Sequence, residues 1–233
     1  MPGSEHSQLG CQLSDELRHY YLDTMGIQIW QALEQPVEDT TADHREDKNR
    51  IWQQLEQTVS GCTKCDLHQS RSQTVFGVGN RNARLLIIGE APGKDEDLQG
   101  EPFVGRAGQL LNAMLAAIGL QREQIYIANV LKCRPPNNRD PLPAEAQACA
   151  PWLQQQIALI QPELIFVLGR IAAHHLLNTD RSLASLRGRT HQYAGIPLIV
   201  SYHPAYLLRQ PVEKRKSWQD LKYVKSFLDS GSS

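Results

Sequence analysis

Residues 84–97 read RLLIIGEAPGKDED. The first six positions are an apolar run closed by a glycine, the length of a strand buried on both faces and too short for a core helix. The rest is polar, with Pro92 and Gly93 breaking regular structure and three acids close behind. Three more stretches share the apolar pattern: 124–130 (QIYIANV), 163–168 (ELIFVL) and 197–201 (PLIVS). Helical periodicity falls between or after them, at about 107–119, 143–160, 170–177 and 217–228. Short apolar strands alternating with helices predict an α/β fold, a three-layer α/β/α sandwich around a central, mainly parallel four-stranded sheet. Ligands of such sheets sit beyond the carboxyl ends of the strands. The chemically loaded segments fall at those ends: residues 90–97 after the first strand, Asn129 in the second, and His203 after the last.

Upstream the character of the chain changes. Residues 14–33 (SDELRHYYLDTMGIQIWQAL) predict a short amphipathic helix capped by Ser14 and interrupted or ended at Gly26, with an apolar Ile27, Ile29 and Trp30 cluster behind it. Residues 34–46 are polar and acidic without periodicity and read as a linker. From about residue 47, Ile51, Trp52, Leu55 and Val59 set a second helix leading into Gly61 and Cys62. The expected division is therefore an N-terminal helical arm with its acidic linker, 1–46, and one domain, 47–233. Charge follows nearly the same line. The first 60 residues hold 4 Lys/Arg against 11 Asp/Glu and the remainder 20 against 14, within a chain of net charge −1. A basic body suits a polyanion, although ordinary surface charge gives the same numbers. No apolar run approaches the roughly 18 residues that cross a bilayer. The start, MPGSEHSQLG, lacks the charged-then-apolar pattern of a secretory signal. The expectation is a cytoplasmic, monomeric protein without membrane contact.

Five cysteines in such a chain point to metal or redox chemistry rather than a disulfide framework. Cys11 stands alone in the arm. Cys62 and Cys65 form a CxxC pair, and Cys133 and Cys149 follow with a Pro/Asn-rich loop between them. Four thiolates hold either tetrahedral zinc or an iron–sulfur cluster, and spacing alone favours zinc. Such a knot ties the entry of the domain to the 134–142 loop. None of the four cysteines falls at a predicted strand end, so its expected role is structural.

The ordered set GCTKCDLHQSR (61–71), GEAPGKDED (89–97), GEPFVGRAGQLL (100–111), NVLKCRPPNNRDP (129–141), the Cys149 helix, ELIFVLG (163–169) and SYHPAYLLR (201–209) resembles the uracil-DNA glycosylase superfamily, and specifically its family 4, iron–sulfur branch. The resemblance covers roughly residues 58–226. It implies that Cys62, Cys65, Cys133 and Cys149 ligate a structural [4Fe–4S] cluster, against the zinc preference of the spacing. It also implies hydrolysis of the N-glycosidic bond of deoxyuridine in DNA, releasing uracil and leaving an abasic site for base excision repair. A base stacked in a duplex is out of reach of such a site, so the nucleotide must be everted into a pocket.

By the same resemblance Phe103 is the stacking platform for the base. Asn129 offers an acceptor and a donor to the N3–H and O4 edge of uracil, a pattern that cytosine inverts. His203 carries the most catalytic weight, donating to O2 as charge builds there. The loop after the first strand brings the backbone N–H of Ala91 toward the same oxygen, with Glu90 bracing the loop or touching substrate. In the best-known branch of the superfamily an aspartate stands where Ala91 does and positions the attacking water. Glu96 is the nearest substitute here, with Asp95 and Asp97 as competitors. Tyr206, Leu207 and Leu208 are expected to wedge into the gap left by the base, with Arg209 and the basic run 214–216 on phosphates. Arg187 and Arg189 are weaker phosphate candidates.

The stretch 20–30 (YYLDTMGIQIW) is similar to the N-terminal segment of the psi subunit of the bacterial replicative clamp loader, which implies a docking role for the arm. Two other readings of the domain stay open at this level. One is a non-catalytic DNA-binding iron–sulfur module related to phage DNA polymerase N-termini, and the other is an electron-transfer cluster protein.

Overall fold

The computed structural model describes residues 15–27 and 40–231, which divide between His44 and Arg45 into two units. In the first unit, helix α1 (Asp15–Thr24) stops just before Gly26, one of the two outcomes expected of that glycine. Gly26, at φ 67°, turns the chain, and the N–H of Ile27 returns to the carbonyl of Leu22 at 2.9 Å. Leu17, Tyr20, Tyr21, Met25 and Ile27 are exposed. Ser14, Ile29, Trp30 and Cys11 lie outside the described residues. Helix α2 (Thr40–Ser60) contains the division and starts earlier than predicted, so the last part of the expected linker is helical.

In the second unit the order is β1 (Val78–Gly79), β2 (Leu85–Gly89), α3 (Lys94–Gln99), α4 (Arg106–Ala116), β3 (Tyr126–Asn129), α5 (Pro143–Ile160), β4 (Leu164–Leu168), α6 (Arg170–Leu177), α7 (Leu183–Leu186), β5 (Thr190–Tyr193), β6 (Ile196–Ser201), α8 (Pro204–Arg209) and α9 (Lys214–Ser230). The strand order is β1-β3-β2-β4-β6-β5. The four predicted strands pair parallel in the centre. The sheet is nevertheless six-stranded, because β1 and β5 add antiparallel edges.

The alternation of strand side chains sorts the core into two faces. Leu86, Ile88, Ala128, Ile165, Val167, Leu198 and Val200 point to one side, against Trp52, Leu55 and Val59 of α2 and buried residues of α5 and α6. Leu85, Ile87, Ile127, Leu164, Phe166, Leu168 and Ile199 point to the other, against Leu111 and Leu115 of α4 and Leu221 and Val224 of α9. These are the three layers of the sandwich. Strand β3 lies on one side of β2 and β4 on the other, so the connection direction reverses at β2 and opens a crevice beyond its carboxyl end. Among the described residues, no helix is long and apolar enough to cross a membrane.

Candidate functional site

A cavity of about 360 Å³ sits at that crevice, toward the small end of the range for small-molecule sites. Glu90, Ala91, Glu96, Phe103, Asn129, His203 and Arg209 all line it, together with Ala107, Pro135, Asn138, Arg139 and Ala205. Residues far apart in sequence meet here because parallel strands bring their carboxyl ends to one edge.

Two glycines make room for them. A Cβ on Gly89 would lie 2.4 Å from Asn129 Oδ1 and 2.7 Å from Phe103 Cζ, so the amide and the ring come together over a bare strand end. Phe103 itself sits at φ 56°, a conformation that a side chain beyond Cβ rarely adopts. Its carbonyl passes so close to Gly108 that a Cβ there would be 1.7 Å from the oxygen. Arg122 clamps the same turn by donating to the carbonyls of Pro102 and Phe103. The Phe103 ring then stacks beside His203, centroids 5.4 Å apart at 28°.

His203 caps α8, and its Nδ1 accepts the N–H of Ala205 at 3.1 Å. With Nδ1 occupied as an acceptor, the neutral ring carries its proton on Nε2 and presents a donor there. Burial, with a smaller push from Arg209, pulls the His203 pKa down to about 4, so the ring stays neutral at physiological pH. Glu90 behaves in the opposite sense. Burial, reinforced by Asp140 and opposed by Arg170, raises its pKa to about 7. Asn129 is 2% exposed, and its backbone carbonyl is held by Lys132 Nζ at 3.0 Å.

Glu96 has a different occupation from the one its position in the sequence implies. Oε1 accepts the N–H groups of Val104 and Gly105 at 3.0 and 3.1 Å, and Oε2 that of Gly93 at 3.1 Å. It ties the 90–93 loop to the Phe103 turn while still lining the cavity. Asp97 is buried and accepts the N–H of Ser72, which makes it a loop anchor rather than a rival for water. Of the proposed wedge, Leu207 is 1% exposed and packs in the core beneath α8, so it has no free side chain to insert. Tyr206, stacked on Tyr202 at 5.1 Å, and Leu208 remain partly exposed, and Arg209 is exposed at the rim. Arg187 is not available to phosphate either, since it pairs with buried Asp220 through two bonds of 2.8 and 2.9 Å.

Cys62, Cys65, Cys133 and Cys149 are unpaired and line one small cavity with Arg71 and Lys132. Among the described residues, no group of three or more His, Cys, Asp or Glu side chains is arranged to hold a single metal ion. Donors surround the sulfurs instead. Arg71 Nη1 lies 3.0 Å from Cys133 Sγ, and the N–H of Lys132 lies 3.3 Å from Cys149 Sγ. Burial raises the Cys149 thiol to about 11 and pushes Cys65 and Cys133 up as well. Four sulfurs in a cavity with cationic and N–H donors fit a group that takes thiolates, because coordination supplies the charge that removes the protons.

Sequence reasoning missed Asn138, Arg139 and Lys132. Arg139 is fixed by a bidentate pair with Glu145, at 2.9 and 2.6 Å, which also brings the 134–142 loop over the cavity. All three stand inside NVLKCRPPNNRDP, a motif that carries the resemblance but in which only Asn129 and Cys133 received a role.

Comparison with known proteins gives the family. The family model for the uracil DNA glycosylase superfamily matches residues 76–222. The type-4 uracil-DNA glycosylase of Archaeoglobus fulgidus is 45% identical over 174 residues, covering 71% of this chain and 87% of that protein. That of Thermotoga maritima is 40% identical over 185 residues, covering 78% and 96%. A DNA polymerase of Bacillus phage SP01 is 28% identical over 164 residues but is covered over only 18% of its length. By these matches the chain belongs to the uracil-DNA glycosylase superfamily, in its type-4 branch.

Proposed function

We propose that this protein is a uracil-DNA glycosylase that everts deoxyuridine into the cavity at the strand tips and hydrolyses its N-glycosidic bond. The observation that carries the reading is the placement of Phe103, Asn129 and His203 on one cavity, with His203 neutral and its Nε2 free to donate. The base rests against the Phe103 ring. The Asn129 amide pairs with N3–H and O4. As the C1′–N1 bond breaks, its electron pair passes to the uracil ring, and the Nε2–H of His203 and the N–H of Ala91 stabilise the charge on O2. The sugar becomes oxocarbenium-like, favoured by a nearby carboxylate; water adds to C1′ and gives its proton to that carboxylate, and the uracil anion takes up a proton on release. Glu90 is the carboxylate best placed for that step, because Glu96 already spends its oxygens on three backbone donors. Tyr206, Leu208 and Arg209 meet the DNA around the gap.

The cysteines hold a [4Fe–4S] cluster in this reading. The resemblance to the iron–sulfur branch favours the cluster over zinc, and the Arg71 and Lys132 N–H donors on the Cys133 and Cys149 sulfurs suit it. Its role is to staple the 134–142 loop to the entry of the domain. The helical arm is proposed to recruit a clamp-loader partner. A pull-down with residues 1–46 that retains no replisome component ends that idea. Release of free uracil from a uracil-containing oligonucleotide tests the enzyme, and DNA binding without release would favour the non-catalytic module.

A further inference from the structure

Lys132 is 1% exposed, among the most buried large side chains of the domain. Its Nζ donates to the carbonyl of Asn129 at 3.0 Å and to Gln156 Oε1 at 2.6 Å. Both acceptors are neutral, and none of the ion pairs among the described residues involves Lys132. A buried ammonium without a counter-charge is costly, and replacing it with an apolar side chain of like size is commonly stabilising. The same residue forms part of the wall around the four cysteines, with its own N–H on Cys149 Sγ. Four thiolates around a [4Fe–4S] core leave a net negative charge. That charge is the missing partner.

We propose that Lys132 is the buried counter-cation of the cysteine nest and, through its bond to the Asn129 carbonyl, the positioning residue of the base reader. Gln156 holds the other side of the ammonium, and its Nε2 donates to the Phe76 carbonyl at 2.9 Å, so the lysine tip is fixed in place. The cluster loop and the pyrimidine reader are thereby linked by one side chain, although none of the cysteines lines the catalytic cavity. Lys225 is the natural control. It lies on α9, pairs with Asp229 at 3.2 Å and lines neither the catalytic nor the cysteine cavity, and it is exposed, so its charge is screened by solvent.

The inference rests on the cluster reading, and the experiment separates the two. Iron content of the purified full chain comes first, and a protein without iron overturns the cluster reading itself. With iron present, release to a chelator is timed for the wild type, Lys132→Met, Lys132→Arg and Lys225→Ala. Excision from a U:G duplex and affinity for undamaged duplex are measured alongside. Lys132→Met should release iron about ten- to a hundredfold faster and excise uracil correspondingly more slowly, with affinity for undamaged duplex unchanged. Lys225→Ala should match the wild type. Lys132→Arg keeps the charge, so it should hold iron at the wild-type rate while excising more slowly, and it serves as the reading if the methionine variant does not fold. An iron-loaded Lys132→Met protein that melts higher and keeps its iron would overturn the proposal. So would a Lys132→Arg protein that loses iron quickly.

Discussion

At the scale of single residues, the account turns on protonation states. Removing the His203 donor should lower single-turnover excision by about 10²–10³-fold, the usual cost of one donor to a developing anion. Glu96→Ala should act through loop order, with a smaller effect that Glu96→Gln partly restores, since its amide oxygen can still accept. Comparable rates for His203→Ala and Glu96→Ala would contradict the assignment. Because the Glu90 pKa is raised to about 7, its carboxylate forms only as pH climbs through that value. Single-turnover rate should therefore rise with pH around 7 in the wild type, and Glu90→Gln should flatten that limb. Stability moves with opposite signs at the two groups. His203 is held at about 4, so between its ordinary value near 6.5 and that value the unfolded chain binds more protons and stability falls as pH falls. Glu90 is protonated in the fold between 4.5 and about 7, so its contribution falls as pH rises through that window. Thermal melts of each variant against the wild type across pH 4–8 would show the two slopes.

At the scale of elements, the site depends on how β2, β6 and the turn at Phe103 are held. Gly89→Ala places a methyl against the Asn129 amide and the Phe103 ring, so excision should drop while the sheet persists by circular dichroism. The end of β6 is anchored by Ser201 Oγ on Asp220 at 2.6 Å, and Asp220 in turn holds Arg187, which lies over the Tyr202 ring. Asp220→Ala leaves Arg187 buried without its partner and should cost about 3–5 kcal/mol in urea unfolding. The four central strands were legible because each is a continuous apolar run. The edges were not, since β1 has two residues and β5 reads THQY, with alternate residues half-buried and no apolar signal. Leu207 illustrates the same limit. A leucine after a catalytic motif reads equally as a wedge or as a core residue, and only packing against the α4 and α9 layer decides it. Lys132 was invisible for the converse reason, since a lysine between apolar neighbours ordinarily faces water.

At the scale of the whole molecule, the glycosylase domain should act without its arm. A chain shortened to 45–233 should excise uracil at about the wild-type rate, and a large loss would give the arm a part in catalysis. Its DNA affinity should fall with salt, since the exposed Arg209 and Arg215 are proposed to meet phosphates. The position of the site was readable from sequence, because strand order in a parallel sheet fixes where the loaded loops converge. The nature of the cysteine group was not, because spacing alone favours zinc and only the surrounding motifs turn the choice.

The most direct measurement is base release from matched duplexes carrying U:G or C:G, with the iron-loaded wild type, His203→Ala and Asn129→Ala. The wild type should free uracil and spare cytosine, His203→Ala should free uracil at least about a hundredfold more slowly, and Asn129→Ala should lose most of its uracil release. Undiminished release by both variants, or none by the iron-loaded wild type, would contradict a pocket in which a ring, an amide and a neutral imidazole hold an everted pyrimidine.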